Sequence, residues 1–248
     1  MKRFFAAIGF LTVIPLPSSM RTDGDSVGTG TFYFPVVGLL IGVFLIMVYT
    51  ITSKFLPLLL VASITALLTT WASGGLHMDG LTDTADGILS GTSVERTLEI
   101  MKDPNTGAFG VLAMISIVTM KIFAVVSLPQ TDAMWALLAA PVAGRCAMVL
   151  PMSLRDYLSG KEGGLGSAFY NKRQTGNALW ASGFVVATFV ITAKFHVIGL
   201  SILFFGATFL YSKYICNKLG AMTGDTYGAL CEIMETMILI IFAGLLNV

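Results

Sequence analysis

The stretch FPVVGLLIGVFLIMVYTIT, residues 34–52, contains no charged residue and is long enough to cross a bilayer as a helix. Further apolar stretches lie at residues 56–72, 109–127, 133–152, 177–193, 197–214 and 228–247. In hydrocarbon the polar backbone groups must bond to one another, and a helix achieves this within a single segment. The sequence therefore predicts an all-α polytopic membrane protein with about seven transmembrane helices.

The composition supports the same fold class. Of the 248 residues, 55% are hydrophobic and only 12% are charged, whereas soluble domains have about 25% charged residues. With a net charge of +1, the chain does not have the excess of basic residues that is typical of a nucleic-acid binder. We therefore expect it to reside in a lipid bilayer and to bind no nucleic acid. Without a visible repeat or low-complexity tract, residues 1–248 are interpreted as a single integral-membrane domain.

The first residues, MKRFFAAIGFLTVIPLP (1–17), combine a basic pair with an apolar run. Pro15 and Pro17 end this run before it reaches the length of a span. We therefore expect a short N-terminal helix that lies in the membrane interface or re-enters it.

Lysine and arginine are distributed unevenly between the two sides of the predicted bundle. Eleven lie on the side of the N-terminus and of the loops 73–108, 153–176 and 215–227, and two, Lys54 and Lys194, lie on the other side. By the positive-inside rule the N-terminus and these large loops face the cytoplasm. Nearly all aspartates and glutamates fall on the same side, so we expect any chemistry there.

Three aspartates stand close together in GGLHMDGLTDTADG, residues 74–87. The spacing of Asp79, Asp83 and Asp86 is i, i+4, i+7, which places all three on one face of an α-helix. Because the second apolar stretch is short and runs into this motif, we expect one continuous helix that leaves the membrane. Aligned like charges repel unless a cation lies among them, and Mg²⁺ prefers carboxylate and phosphate oxygens. The alternative is a solvated acidic patch.

Glycines interrupt the same motif, although glycine inside a helix costs about 1 kcal/mol relative to alanine. They occupy positions 74, 75, 80 and 87. We expect either close packing against a neighbouring helix or close approach of a ligand phosphate.

A second acidic cluster heads the last apolar stretch, in MTGDTYGALCEIMETM, residues 222–237. Glu232 and Glu235 lie one to two turns inside this stretch, where an unpaired carboxylate costs several kcal/mol, so they should face the bundle interior. Asp225 lies closer to the membrane edge. Since both acidic clusters belong to the same edge, we expect them to converge on one site.

Basic residues near these clusters are candidates for binding an anion. Lys121 and Arg145 lie inside predicted spans and need partners, which are either the carboxylates above or substrate phosphates. Lys161 belongs to the glycine-rich loop LSGKEGGLGSAF, residues 158–169. Lys102 belongs to MKDPNTGAFG, residues 101–110, just before the third span.

Four segments together resemble the cobalamin synthase family, the adenosylcobinamide-GDP ribazoletransferases. They are GGLHMDGLTDTADG (74–87), RTLEIMKDPNTGAFG (96–110), GKEGGLGSAF (160–169) and TGDTYGA (223–229), and the resemblance extends from FLTVIPLP (10–17) to the last span. It implies a Mg²⁺-dependent enzyme of the inner (cytoplasmic) membrane. A hydroxyl of α-ribazole, or of its 5′-phosphate, attacks adenosylcobinamide-GDP, GMP departs, and adenosylcobalamin or its phosphate results.

The resemblance, taken with the requirements of pyrophosphate cleavage, suggests a role for each polar residue. The expected metal ligands are Asp79, Asp83, Asp86 and Asp225, with Asp86 or Asp83 as general base. The expected phosphate-binding residues are Lys161, Arg145, Lys121 and Lys102. We expect the metal and phosphate ligands to be held in place by a second layer of residues, Glu232, Glu235 and His77. His77, on the helix face opposite Asp79, is also an alternative general base.

Two other functions compete at this point. Intramembrane Lys, Arg and Glu can mark the ion path of a transporter, although transporters usually place such residues near the midplane between repeats. A non-catalytic membrane anchor for other enzymes of the pathway needs no stripe of aspartates. Self-association and assembly with other cobalamin-pathway enzymes are both left open by the sequence.

Overall fold

The computed structural model describes residues 2–17, 30–90, 93–154, 175–193 and 196–245. Within these ranges the chain is helical and forms no β-strand, which confirms the predicted all-α fold. A 3-10 turn, Gly30–Tyr33, precedes the second helix. The helices are α1 Lys2–Leu11, α2 Phe34–Thr52, α3 Leu58–Ala72, α4 Leu76–Leu89, α5 Val94–Ile100, α6 Ala108–Val126, α7 Gln130–Leu154, α8 Thr175–Ala193, α9 Val197–Leu219 and α10 Gly224–Leu245.

Six of the described helices are long and apolar enough to cross a membrane. They are α2 with its preceding turn, α6, α7, α8, α9 and α10. The second predicted span, α3, has 15 residues and reaches spanning length only together with α4. The chain is therefore a multi-pass membrane protein, as predicted, with one short or broken span among about seven.

The junction between α3 and α4 differs from the prediction of one continuous helix. The two helices meet at an angle of 86°. Gly74 and Gly75 have φ values of 65° and 80°, in the left-handed region that glycine adopts without the steric cost of a Cβ. Consequently α4 runs nearly at right angles to α3. It packs against α6 and α10.

The central helix of the bundle is α7, which packs between α2, α8 and α10. Small residues allow the close approach: a Cβ on Gly38 of α2 would lie 2.6 Å from the carbonyl oxygen of Pro141, and one on Gly42 would lie 2.9 Å from the Cα of Leu138. Membrane helices commonly pack through such small residues because lipid leaves van der Waals contact as a main attraction. In contrast, α6 is only 22% buried and exposes an apolar face, as expected for contact with lipid.

The N-terminal segment packs against the α3–α4 bend. Helix α1 has ten residues, too few to span a bilayer, in agreement with the sequence prediction. Its rings contact α2 and the turn before it, with Phe10 stacked on Phe34. After α1, the backbone N–H of Val13 donates to the carbonyl of Ala72, the last residue of α3, at 2.9 Å. This segment therefore supports the position from which α4 departs.

Candidate functional site

Four aspartates meet at the end of the bundle where α4 crosses the start of α10. Asp79, Asp83 and Asp86 belong to α4, and Asp225 belongs to the first turn of α10. We refer to these four residues as the carboxylate cluster. Asp79 is exposed and the other three are partly buried. The predicted stripe on one helix is confirmed, since residues 76–89 are helical throughout.

Glycines bring the two helices of this cluster into backbone contact. A Cβ on Gly80 would lie 2.6 Å from the carbonyl oxygen of Asp225. On the opposite helix, a Cβ on Gly228 would lie 3.1 Å from the Cα of His77. Of the two roles expected for the glycines of the motif, the structure thus shows helix packing. This packing places Asp225 beside the aspartates of α4.

The charges of the carboxylate cluster act on one another. Burial, followed by the negative charges of Asp79, Asp225 and Asp86, raises the pKa of Asp83 to about 7. A carboxyl group whose ionisation is opposed by three others is stabilised in its charged form when a cation approaches. The cluster therefore favours a positively charged ligand.

The donor set of the cluster fits a hard divalent cation. No three His, Cys, Asp or Glu side chains of the described ranges are already gathered as a complete metal site. Mg²⁺ does not require such a cage, because it is usually held by one or two carboxylates together with water and substrate phosphates. No hydrogen bond from another described residue occupies the carboxylates of Asp79 and Asp83, so these oxygens can accept such an ion.

Asp86 is used differently from its two neighbours on α4. One of its oxygens accepts the backbone N–H of Gly107 at 2.7 Å, and the other accepts the N–H of Gly110 at 2.9 Å. These two amides belong to the start of α6, whose N-cap residue is Gly107 and which has no local side-chain cap. Sequence reasoning missed this contact, although PNTGAFG before the third span contained both glycines.

The start of α10 is held by a set of hydrogen bonds that the sequence analysis also missed. The N–H of Thr223 donates to the hydroxyl of Thr226 at 2.8 Å, and the N–H of Thr226 donates to the hydroxyl of Thr223 at 3.3 Å. This reciprocal pair is a variant of the capping box, which the Thr-x-x-Thr spacing before an apolar run could have indicated. The hydroxyl of Tyr211 from α9 donates to the carbonyl of Thr226 at 2.8 Å. Asp225 is thereby fixed between two anchored threonines.

The glutamates of α10 lie in a second, separate cluster inside the bundle. The ammonium of Lys121 in α6 donates to Glu232 at 2.7 Å and to Glu235 at 2.6 Å. The guanidinium of Arg145 in α7 donates to the other oxygen of Glu235. All four side chains are at most 1% exposed, and Lys121 also donates to the hydroxyl of Thr69 in α3 at 3.2 Å. We call Lys121, Arg145, Glu232 and Glu235 the buried ion cluster.

This arrangement corrects two sequence predictions. Lys121 and Arg145 are paired with carboxylates, so their assignment to substrate phosphate is withdrawn. The two acidic clusters converge only through Asp225, because Glu232 lies seven residues further along α10, about 10 Å deeper along its axis. His77 is buried and interacts electrostatically with Arg145, Glu235 and Lys121, on the face of α4 that points away from Asp79. Its position on the opposite face of α4 is the one expected, and its role in supporting the aspartates stays a prediction.

Lys102 and Lys161 are the two remaining candidates for binding phosphate. Lys102 is exposed and forms no ion pair with another described residue. Its neighbour Met101 packs on Gly87 in the last turn of α4, so Lys102 is close to the helix that holds the aspartates. Lys161 and its glycine-rich loop lie outside the described residues.

Replacing Gly80 by alanine tests the close crossing of α4 and α10. The added Cβ would meet the backbone of Asp225 rather than a flexible side chain, and such overpacking typically costs about 1–3 kcal/mol. We expect Gly80→Ala to lower the midpoint of thermal unfolding in detergent. Gly183→Ala in α8 is the matched control, because a Cβ there meets no atom within 4 Å. Equal midpoints for the two variants would contradict the crossing.

Comparison with known proteins gives a consistent result. The family model described as "Cobalamin-5-phosphate synthase" matches residues 3–243. An adenosylcobinamide-GDP ribazoletransferase of Desulforamulus reducens is 39% identical over 241 residues, covering 94% of this chain and 92% of the relative. Proteins of the same name from Syntrophobacter fumaroxidans and Acetivibrio thermocellus are 39% and 36% identical, covering 95% and 98% of this chain and 96% and 97% of the relatives. No solved structure matches.

Proposed function

The chain belongs to the cobalamin-5-phosphate synthase family, and we infer from this membership that it is an adenosylcobinamide-GDP ribazoletransferase. It joins α-ribazole, or α-ribazole 5′-phosphate, to adenosylcobinamide-GDP with release of GMP, in the last steps of cobalamin assembly. The observation that carries this function is a family match over nearly the whole chain, which includes the carboxylate cluster. The transporter and the non-catalytic anchor are therefore set aside.

We place the reaction at the carboxylate cluster. Asp79 and Asp225 are the residues that would hold Mg²⁺, since they come from two helices in backbone contact and offer hard oxygen donors. When bound, the ion supplies positive charge that offsets the charge developing on the leaving nucleotide. Asp86 is given a different task, because each of its oxygens accepts a backbone N–H from the start of α6.

The reaction consists of three events. The attacking hydroxyl oxygen forms a bond to the phosphorus nearer cobinamide, the bond from that phosphorus to the oxygen of GMP breaks, and the hydroxyl proton must be accepted. We assign the proton to Asp83, because it lies on the same helix face as Asp79 and its carboxylate accepts no hydrogen bond from another described residue. We assign the phosphates to Lys102 and to Lys161, which lies outside the described residues, since Lys121 and Arg145 are paired within the bundle.

The carboxylate cluster is proposed to face the cytoplasm from the inner membrane. The support is the excess of eleven Lys and Arg over two on the side of the N-terminus. This orientation gives water-soluble nucleotide substrates direct access to Asp79, the exposed member of the cluster. The corrinoid nucleotide and α-ribazole are the proposed small-molecule partners. The lipid bilayer surrounds the spans.

The assay for this function is GMP release by the purified full-length protein in detergent, with adenosylcobinamide-GDP and α-ribazole as substrates. We expect turnover with Mg²⁺, loss of turnover in EDTA, and recovery when excess Mg²⁺ is added, because the cluster's charges need a divalent ion. Joined corrinoid product should appear in equal amount to GMP. Release of GMP without α-ribazole, or full activity in EDTA, would contradict the respective parts of the proposal.

A further inference from the structure

Asp86 lies at a contact between two helices rather than at an open edge. Its carboxylate accepts the backbone N–H groups of Gly107 and Gly110, which are 21 and 24 residues further along the chain. Free N–H groups at a helix start are usually satisfied by a side chain at the N-cap. Because the N-cap residue of α6 is glycine, a residue of α4 provides this cap instead.

The two glycines make room for this carboxylate. A Cβ on Gly107 would lie 2.5 Å from one oxygen of Asp86, and all three of its nearest atoms belong to that carboxylate. A Cβ on Gly110 would overlap the other oxygen. Each glycine therefore presents its amide to Asp86 at a distance that a larger residue would prevent.

From this geometry we infer that Asp86 is a positioning residue, which fixes α4 to the start of α6 and thereby orients Asp79 and Asp83. Both of its oxygens are occupied by backbone donors. It thus has a task that Asp79 and Asp83 do not share, although all three lie on one helix face. The inference deepens the proposed function and rests on it, because turnover is one of its readouts.

Two substitutions at position 86 separate positioning from proton transfer. The amide oxygen of Asp86→Asn can still accept one of the two N–H groups, whereas Asp86→Ala accepts neither. A positioning role predicts that the asparagine variant retains about tenfold more kcat than the alanine variant, as one hydrogen bond would give. A general base predicts equal and severe loss in both, because neither side chain accepts the proton.

A second substitution, at position 107, can restore a lost helix cap. It could not restore a lost general base. In the double variant Asp86→Ala with Gly107→Ser, the serine is placed at the N-cap of α6, where its hydroxyl can accept the N–H of Gly110. Removal of the Asp86 carboxylate also removes the atoms that a Cβ at position 107 would meet. We expect the double variant to regain thermal stability in detergent and part of the GMP release lost in Asp86→Ala.

Recovery of turnover in the double variant supports the inference, and restored stability without any recovery overturns it. If the serine does not restore stability, equal activities of Asp86→Asn and Asp86→Ala overturn it and unequal activities support it. Should the wild-type protein release no GMP, the proposed function fails by itself, and the order of thermal stabilities of the same variants still tests the contact between α4 and α6.

Discussion

Asp83→Asn is expected to lower the rate of GMP release by about 10³-fold, as loss of a general base does. The substitution keeps the shape of the side chain and removes its capacity to accept a proton. It also removes one charge from a group of four aspartates that oppose one another's ionisation. In metal-free detergent the variant should therefore unfold at a higher temperature than the wild type, so that activity and stability change in opposite directions.

The matched control for this variant is Asp132→Asn. Asp132 is in the first turn of α7, just after the end of α6, whereas the carboxylate cluster contacts the start of α6. We expect it to leave turnover within about twofold, as surface substitutions away from special features usually have small effects. Asp83→Asn with more than a tenth of wild-type turnover would refute the assignment of Asp83.

Lys121→Met is expected to destabilise the protein more than Gly80→Ala or any substitution in the carboxylate cluster. The ammonium is the shared partner of Glu232 and Glu235, and its removal leaves two buried carboxylates with Arg145 alone. Removing one partner of a buried ion pair costs about 3–5 kcal/mol. The measurement is the thermal unfolding midpoint in detergent, together with the amount of folded protein that inserts into the membrane.

A compensating change distinguishes charge from shape at this cluster. In Lys121→Met with Glu232→Gln the remaining charges are one arginine and one glutamate, which already face each other. We expect this double variant to recover most of the stability lost by Lys121→Met. Equal stabilities of the single and double variants would show that packing at position 121, and not the unpaired charge, sets the cost.

The spans and the aspartate stripe could be predicted because each depends on a local pattern. Hydrophobic stretches of membrane length and an i, i+4, i+7 spacing are properties of one segment. The bend before α4 also had a local signal, the paired Gly74 and Gly75, but these glycines were interpreted as positions of close helix packing or of phosphate approach. Their positive φ values, and not their packing, produce the 86° turn.

Partnerships between distant segments could not be predicted in the same way. Lys121 is 111 and 114 residues from its two glutamates, and the sequence allowed either carboxylates or phosphates as its partners. Asp86 looked equivalent to Asp79 and Asp83 because all three share a helix face. Only the tertiary placement of α6 shows that Asp86 has backbone partners that the other two lack.

The crossing of α4, α6 and α10 gives the aspartates a further source of positive potential. Asp79 is in the first turn of α4, Asp225 is in the first turn of α10, and Asp86 contacts the first turn of α6. The aligned peptide dipoles of a helix place partial positive charge at its N-terminus, which stabilises a nearby anion by about 0.3–1 kcal/mol. The N-termini of α4 and α10 therefore lie beside Asp79 and Asp225, and the N-terminus of α6 lies about 10 Å further along α4, beside Asp86. Each lessens the repulsion between its own aspartate and the others of the carboxylate cluster.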